Sequence, residues 1–305
     1  EKPLTLRSDE AEALISLARK NERHIMVGHL LLYHPAVTTI KGLIASGELG
    51  DIYYVYAQRL NLGIVRKDEN AWWSLAPHDI SMVLYMFDSV PNAVSARGEG
   101  YLRHDNQDVV FANLGYSDRR MGQIHVSWLD PHKMRKITVV GSRKMVVFDD
   151  MNPVERKLMI YTHNIIWNHG IPVPQKGEGQ PVDISKTWEE PLAIECRAFL
   201  DAINGKPCIT DGQEGLRVLS VLQRAQKSMD HSARRQAHES YFAHETCIID
   251  KDCHIGADSK IWHFSHILEG SRLGSKVSIG QNVVIGPNAQ IGSNVKIQNN
   301  VSIYE

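Results

Sequence analysis

Long apolar runs are missing from these 305 residues, so no stretch reaches the length that a membrane-spanning helix needs. Charge of one sign is missing too. Thirty-four Lys and Arg stand against 35 Asp and Glu, a net charge of −1, and this excludes the broad basic field that nucleic acid demands. Cysteine is scarce. Cys196, Cys208, Cys247 and Cys253 show no CxxC pair, which argues against a thiolate metal site and fits a reducing, cytoplasmic setting. What remains is 43% hydrophobic and 23% charged, the balance of a globular chain, and the length allows two domains.

The C-terminal part has a period of its own. Ile249, Ile255, Ile261, Ile267, Leu273, Ile279, Ile285, Ile291, Ile297 and Ile303 stand six residues apart. Four places after each comes a small or β-branched residue, such as Cys253, Ser259, Ser265 or Val277. Glycine follows the aliphatic at 256, 274, 280, 286 and 292, where Gly or Asn is expected to take turn conformations that other residues resist. Neither a helix nor an isolated strand has a six-residue period. A hexad repeat predicts a parallel β-helix, with three short strands per coil and the aliphatics stacked inside. Cys247 and Cys253 fall on small-residue rungs, so packing explains them.

The preceding part alternates helix and strand. Ser8 is expected to cap a helix over 8–21, followed by a buried strand over 24–32, a helix over 34–50 and a strand over 52–58. After Pro91, QDVVFANLGY, MGQIHVSWL, MRKITVVG and MVVFDD read as strands joined by short turns. Residues 163–181 are rich in Gly and Pro and read as a loop. PLAIECRAFLDAI reads as a helix burying Leu192, Cys196, Phe199, Leu200 and Ile203. TDGQ (210–213) reads as a capping box before a last helix. The organisation expected is a first domain over 1–230, a polar linker over 231–242 and the β-helix over 243–305.

Two regions carry candidate chemistry. In NAWWSLAPHDISMVLYMF (70–87), Pro77 suggests a helix start, with His78 and Asp79 at the mouth of a buried helix. There His78 can either meet a substrate or pack beside a capping Asp79. Arg66 and Lys67, in a polar loop, either hold a phosphate or carboxylate or are simply solvated. His29, Tyr33 and His34 follow the expected strand and either line a pocket or do not.

The motifs EKP (1–3), VGHLLLYHPAV (27–37), APHD (76–79) and the closing run from Pro191 to Ala225 resemble the Gfo/Idh/MocA oxidoreductases over about 1–229. The resemblance implies an α/β domain with an open, mostly antiparallel sheet that holds a sugar or polyol, and NAD or NADP as cofactor. It implies that Glu1, Lys2 and Pro3 lie by the nicotinamide, with Lys2 at the reacting hydroxyl and His78 assisting proton removal. The residue four before His78 is Ser74, where the family pattern has Asp; Asp79 is the nearest replacement. No GxGxxG precedes the EKP motif, so the phosphate cradle of a Rossmann half is lacking. The chain is therefore expected to begin after that half and to bind NAD(P) weakly alone.

The run KIWHFSHILEG through SIYE (260–305) resembles the left-handed β-helix acetyltransferases that N-acetylate 3-amino UDP-sugars, over about 243–305. That implies a homotrimer, acetyl-CoA as co-substrate and a UDP-sugar in the cleft between neighbours. His263, His266, Glu269, Asn282, Gln298 and Asn299 sit at non-core hexad positions, with His266 and Asn299 foremost as catalytic groups; ordinary corner residues or stacked amides are the other reading. Glu305 follows a hexad isoleucine by two residues, so the repeat is expected to continue beyond it. The two resemblances together imply a fused sugar-nucleotide enzyme for surface polysaccharide, with a non-catalytic sugar-binding or scaffold module as the alternative.

Overall fold

The computed structural model describes residues 1–305 except 104, 105, 240 and 305, and, for side chains, also except 164, 167, 176 and 231–239. The chain divides into two compact units, Glu1–Met229 and Asp230–Glu305.

The first unit is built on one eight-stranded sheet. Its helices are α1 (Ser8–Lys20), α2 (Pro35–Ala45), α3 (Ala71–Phe87), α4 (Pro191–Ile203) and the larger part of α5 (Gly212–Glu239). Its strands are β1 (Ile52–Leu60), β2 (Ala93–Glu99), β3 (Val109–Gly115), β4 (Met121–Ser127), β5 (Met134–Gly141), β6 (Lys144–Asp149), β7 (Leu158–Asn168) and β8 (Ile171–Pro181). They run in the order β2-β3-β4-β1-β5-β6-β7-β8. Every neighbouring pair is antiparallel except β1 with β4, where Tyr54 to Leu60 lie beside Met121 to Ser127. Strand side chains alternate between faces. One face presents Val55, Ala57, Val110, Ala112, Ile124, Val126, Ile137 and Val139, all fully buried. Trp72, Ile80, Val83 and Leu84 of α3 belong to the same core. Each such side chain contributes about 1.5–3 kcal/mol by leaving water.

Several local expectations need correction. The apolar run at 24–32 is not a strand: only Met26 bridges, to Asp211, and Leu30–Tyr33 is a 3-10 turn. Apolar continuity marked burial there but could not choose a conformation. The loop expected at 163–181 is the hairpin of β7 and β8, in which edge position tolerates Pro172, Pro174 and Pro181. Ser8 does not cap α1; it is the first helical residue, and its hydroxyl bonds Gln223. The capping group of α5 is Asp211, which accepts from the Glu214 amide at 2.9 Å, one residue later than expected. Backbone helix continues to Glu239 through most of the expected linker. In α4 only Pro191 and Ala202 are buried; Leu192, Leu200 and Ile203 are more than half exposed. Periodicity shows which helix face is apolar, not what will cover it.

The second unit is a left-handed parallel β-helix of two-residue strands. Ile261 lies beside Ile279 and Ile279 beside Ile297; Ile249, Ile267, Ile285 and Ile303 form a second column; Ile255, Leu273 and Ile291 form the third. Ser259, Ser265 and Ser271 are buried, and each hydroxyl donates to a carbonyl of the next coil, at 2.7 to 3.1 Å. The sulfurs of Cys247 and Cys253 do the same at 3.0 and 3.1 Å, as their rung positions anticipate.

The glycines act differently from the expectation. Those at 256, 274, 280, 286 and 292 do not have positive φ. The left-handed residues come two places later, at Asp258, Lys276, Asn282, Asn288 and Asn294, and the series extends to Asp252, Phe264, Gly270 and Asn300. At 256, 274, 280 and 286 glycine is needed because coils approach closely: a Cβ on Gly274 would lie 2.5 Å from the Ser293 nitrogen, and one on Gly280 would lie 2.7 Å from that of Asn299.

Candidate functional site

The first candidate site forms around the chain's start and α3. Asn70 caps α3, its side-chain oxygen accepting from the Trp73 amide at 3.0 Å. Pro77 therefore lies well inside the helix, not at its start as the sequence suggested. A proline there withdraws the donor that would hold the Trp73 carbonyl and crowds that turn. In the same turn the Ser74 carbonyl accepts from Lys2 Nζ at 2.5 Å. Ser74, which stands where the family pattern has an acid, thus meets the lysine through its backbone.

His78 and His29 complete the cluster. His29 is buried and neither ring nitrogen has a hydrogen-bond partner; Nδ1 of His78 is likewise buried and alone. Burial, then the charge of Lys2, depresses His29 to about 4. Burial, then Arg59 and Lys2, holds His78 well below its ordinary value. Burial also lowers Lys2, with Glu69 opposing and Arg66 and Arg59 assisting. Both imidazoles are therefore neutral near pH 7, and the lysine gives up its proton more readily than an exposed one.

Asp79 does not serve His78. It is buried and takes a bidentate pair from Arg59, at 2.7 and 3.1 Å. Burial pushes its carboxyl upward and Arg59 pulls it back. Arg59, on β1, escaped the sequence reading because nothing local marks an arginine on a strand as buried. Tyr33 turns to Thr210, with the hydroxyls 2.9 Å apart. His34 caps α2, its Nδ1 accepting from the Ala36 amide at 3.0 Å, and its ring packs on Phe148 and Trp188. Neither belongs to the Lys2 cluster. Arg66 pairs with Glu69 at 3.1 Å, is mostly exposed, and acts on Lys2 through its charge.

The second candidate site lies on the β-helix. His266 Nε2 and Asp250 Oδ1, one coil apart, are 3.0 Å from each other, and each side chain is about one-third exposed. Asp250 was not singled out in the sequence because it lies 16 residues from its partner. His263 packs against His244 with ring centroids 3.7 Å apart and the planes tilted by 31°, and its Nδ1 is buried without a partner. Asn299 Oδ1 accepts from the Gln281 amide at 2.8 Å, and Asn282 Nδ2 donates to Asn300 Oδ1 at 3.0 Å. These two amides are occupied in corner ladders. Among the described residues no group of three or more His, Cys, Asp or Glu is placed to hold a metal ion, and no helix is long and apolar enough to cross a membrane.

Comparison with known proteins agrees with this division. Residues 37–147 match the model of the GFO/IDH/MocA C-terminal domain, and residues 252–286 and 276–305 match the bacterial transferase hexapeptide model, which describes six repeats. The UDP-N-acetylglucosamine 3-dehydrogenase of Acidithiobacillus ferrooxidans is 27% identical over 223 residues, covering 72% of this chain and 67% of that protein. A crystal structure of that enzyme superposes with a TM-score of 0.61 at 23% identity, over 75% of this chain and 69% of that one. An inositol dehydrogenase homolog from Azotobacter vinelandii, complexed with NADH and myo-inositol, superposes with a TM-score of 0.59 at 18% identity, over 75% of this chain and 68% of that one. The chain spans about two-thirds of the first curated relative and under half of the next two, uncharacterized oxidoreductases from Streptococcus pneumoniae and Escherichia coli. The chain thus carries, in order, a match to the GFO/IDH/MocA C-terminal domain and matches to bacterial transferase hexapeptide repeats.

Proposed function

We propose that the first unit belongs to an NAD(P)-dependent oxidation of a UDP-N-acetyl sugar, at C3, and that the second N-acetylates an amino sugar derived from it. The observation that carries the first half is the buried His29, with neither ring nitrogen partnered, and the buried, unpartnered Nδ1 of His78, beside a lysine of lowered pKa. A buried polar group without a partner costs about 1–3 kcal/mol, and a sugar's hydroxyls would supply the missing partners. Lys2 or His78 takes the hydroxyl proton as the carbon is oxidised. NAD(P), when bound, supplies the hydride acceptor. Lys2 suits its nicotinamide end, but the sequence contains no GxGxxG to hold a diphosphate.

The second half rests on the hexapeptide match and on the partly exposed His266 with its carboxylate. The chemistry connects the halves: oxidation at C3 gives a ketone, a separate aminotransferase converts it to an amine, and acyl transfer caps the amine. Such diacetamido sugars serve bacterial surface polysaccharides. Ser74 in place of an acid favours a second reading, in which the first unit only binds the sugar and the chain has transferase activity alone.

The test is to give the full chain NAD or NADP with UDP-N-acetylglucosamine and follow the absorbance of the reduced nicotinamide. Turnover that Lys2→Met and His78→Gln both abolish supports oxidation. Binding of the sugar nucleotide with no reduction of either cofactor selects the second reading. The proposed trimer, mediated by the β-helix, is checked by the mass of the native particle.

A further inference from the structure

We propose that Arg135 binds the diphosphate of the sugar nucleotide and so makes the first unit prefer a nucleotide-linked sugar to a free one. The inference rests on the reading of that unit as a sugar-nucleotide site and goes beyond it by naming a specificity residue.

The sheet register places Arg135. It stands directly opposite Arg59 where β5 runs antiparallel to β1. Directly opposed residues project from the same face of a sheet. That face is the buried one: Val55 and Ala57 precede Arg59 on it, and Ile137 and Val139 follow Arg135. Two arginines therefore end the core face beside the turn of α3 that carries His78 and Asp79. Arg59 bonds Asp79, and the charge of Arg135 acts on both His78 and Asp79.

Like charges facing each other across a sheet repel unless each is balanced. Arg59 is balanced by its bidentate pair with Asp79. Arg135 is balanced poorly. Its ion pair with Asp150 spans 3.6 Å, too far for a hydrogen bond, and the same carboxylate lies 2.7 Å from Lys157. Among the described residues none accepts a hydrogen bond from the Arg135 side chain, which is 45% exposed and so open to a ligand. Lys2 and Arg66 add positive charge nearby. A guanidinium stays protonated, and its planar fork matches two phosphate oxygens. A diphosphate would offset Arg135 and Arg59 together, whereas a free sugar or polyol brings no charge and leaves the repulsion in place. The buried rings of His29 and His78 then meet the hydroxyls, and Arg135 meets the anionic group of the same molecule.

The experiment titrates the full chain, 15N-labelled at histidine, with UDP, UDP-N-acetylglucosamine, uridine, N-acetylglucosamine and NADH. The rings of His29 and His78, assigned from His29→Gln and His78→Gln, report binding in the first unit and not on the β-helix. UDP and UDP-N-acetylglucosamine should shift both rings, and uridine should bind more weakly than UDP. Arg135→Met should raise Kd for the two diphosphates about 10- to 100-fold, leaving the responses to uridine and N-acetylglucosamine and the urea midpoint unchanged. Arg135→Lys, which keeps the charge without the fork, should recover part of the loss. An unchanged Kd for UDP in Arg135→Met overturns the proposal, as does an equal loss for uridine and N-acetylglucosamine, or a wild type whose rings do not respond to UDP. Weaker NADH binding with unchanged UDP binding also overturns it, because Arg135 would then serve the cofactor's diphosphate. If UDP binds through Arg135 but no nicotinamide is reduced, the oxidation reading falls and this assignment stands. If oxidation proceeds and Arg135→Met binds UDP as the wild type does, the assignment falls and that reading stands.

Discussion

Acid should weaken the first unit through its buried histidines. His29 and His34 are 1% and 2% exposed, and burial depresses both to about 4. For His34, Asp150 pulls upward from 3.8 Å and Lys157 pushes down, and burial outweighs both. In the unfolded chain each ring titrates near 6.5. Between these values the unfolded state holds the extra proton, so stability is fully present above about pH 6.5 and declines as pH falls toward 4. Each ring accounts for roughly 3 kcal/mol over the whole window and about 2 kcal/mol by pH 5. Two rings therefore remove about 4 kcal/mol by that pH, a large part of the ~5–15 kcal/mol that holds a typical domain together. The assay is urea unfolding at stepped pH, followed by tryptophan emission, which reports mainly this unit because five of the six tryptophans precede residue 230. The informative variant is His34→Asn. Asparagine retains an acceptor for the Ala36 amide but does not titrate, so its acid slope should be shallower by one proton. Parallel pH profiles for wild type and His34→Asn, or a His34 resonance titrating near 6.5, would refute the reasoning.

Three further outcomes are expected. Asp79→Ala strands the buried Arg59 guanidinium and should cost about 3–5 kcal/mol in urea unfolding, whereas Arg59→Met with Asp79→Leu should regain most of it; equal losses in both would show the pair to be solvent-screened. Gly280→Ala places a methyl 2.7 Å from the Asn299 nitrogen, so the β-helix should lose about 1–3 kcal/mol, read as faster amide exchange along its ladders. Phe264 is 68% exposed at φ 57° in a turn where most other hexads place Asn or Asp; Phe264→Asn should raise stability by about 1 kcal/mol, and unchanged thermal melting would mean that its ring contacts offset the strain.

The β-helix could be read almost residue by residue from the chain, because its period is local: every coil repeats the same contacts, so one aliphatic per hexad states the core. Even there, spacing could not separate the glycine that admits a neighbouring coil from the Asn that turns the corner. Both are small punctuation in a sequence, and only the distance between Gly280 and Asn299 tells them apart. In the first unit the antiparallel strands after Pro91 were visible in their alternation, and Lys2 and His78 in their motifs. Folding decided the rest. Whether 24–32 was strand or turn, and whether Gly- and Pro-rich 163–181 was loop or edge hairpin, depended on neighbours far along the chain. The same holds for the sites. Asp79 belongs to Arg59, 20 residues away, and His266 to Asp250, 16 away. Residue type and spacing mark where an ionisable group is available. Burial and the partner that the fold brings to it decide its charge, and with it what it can do.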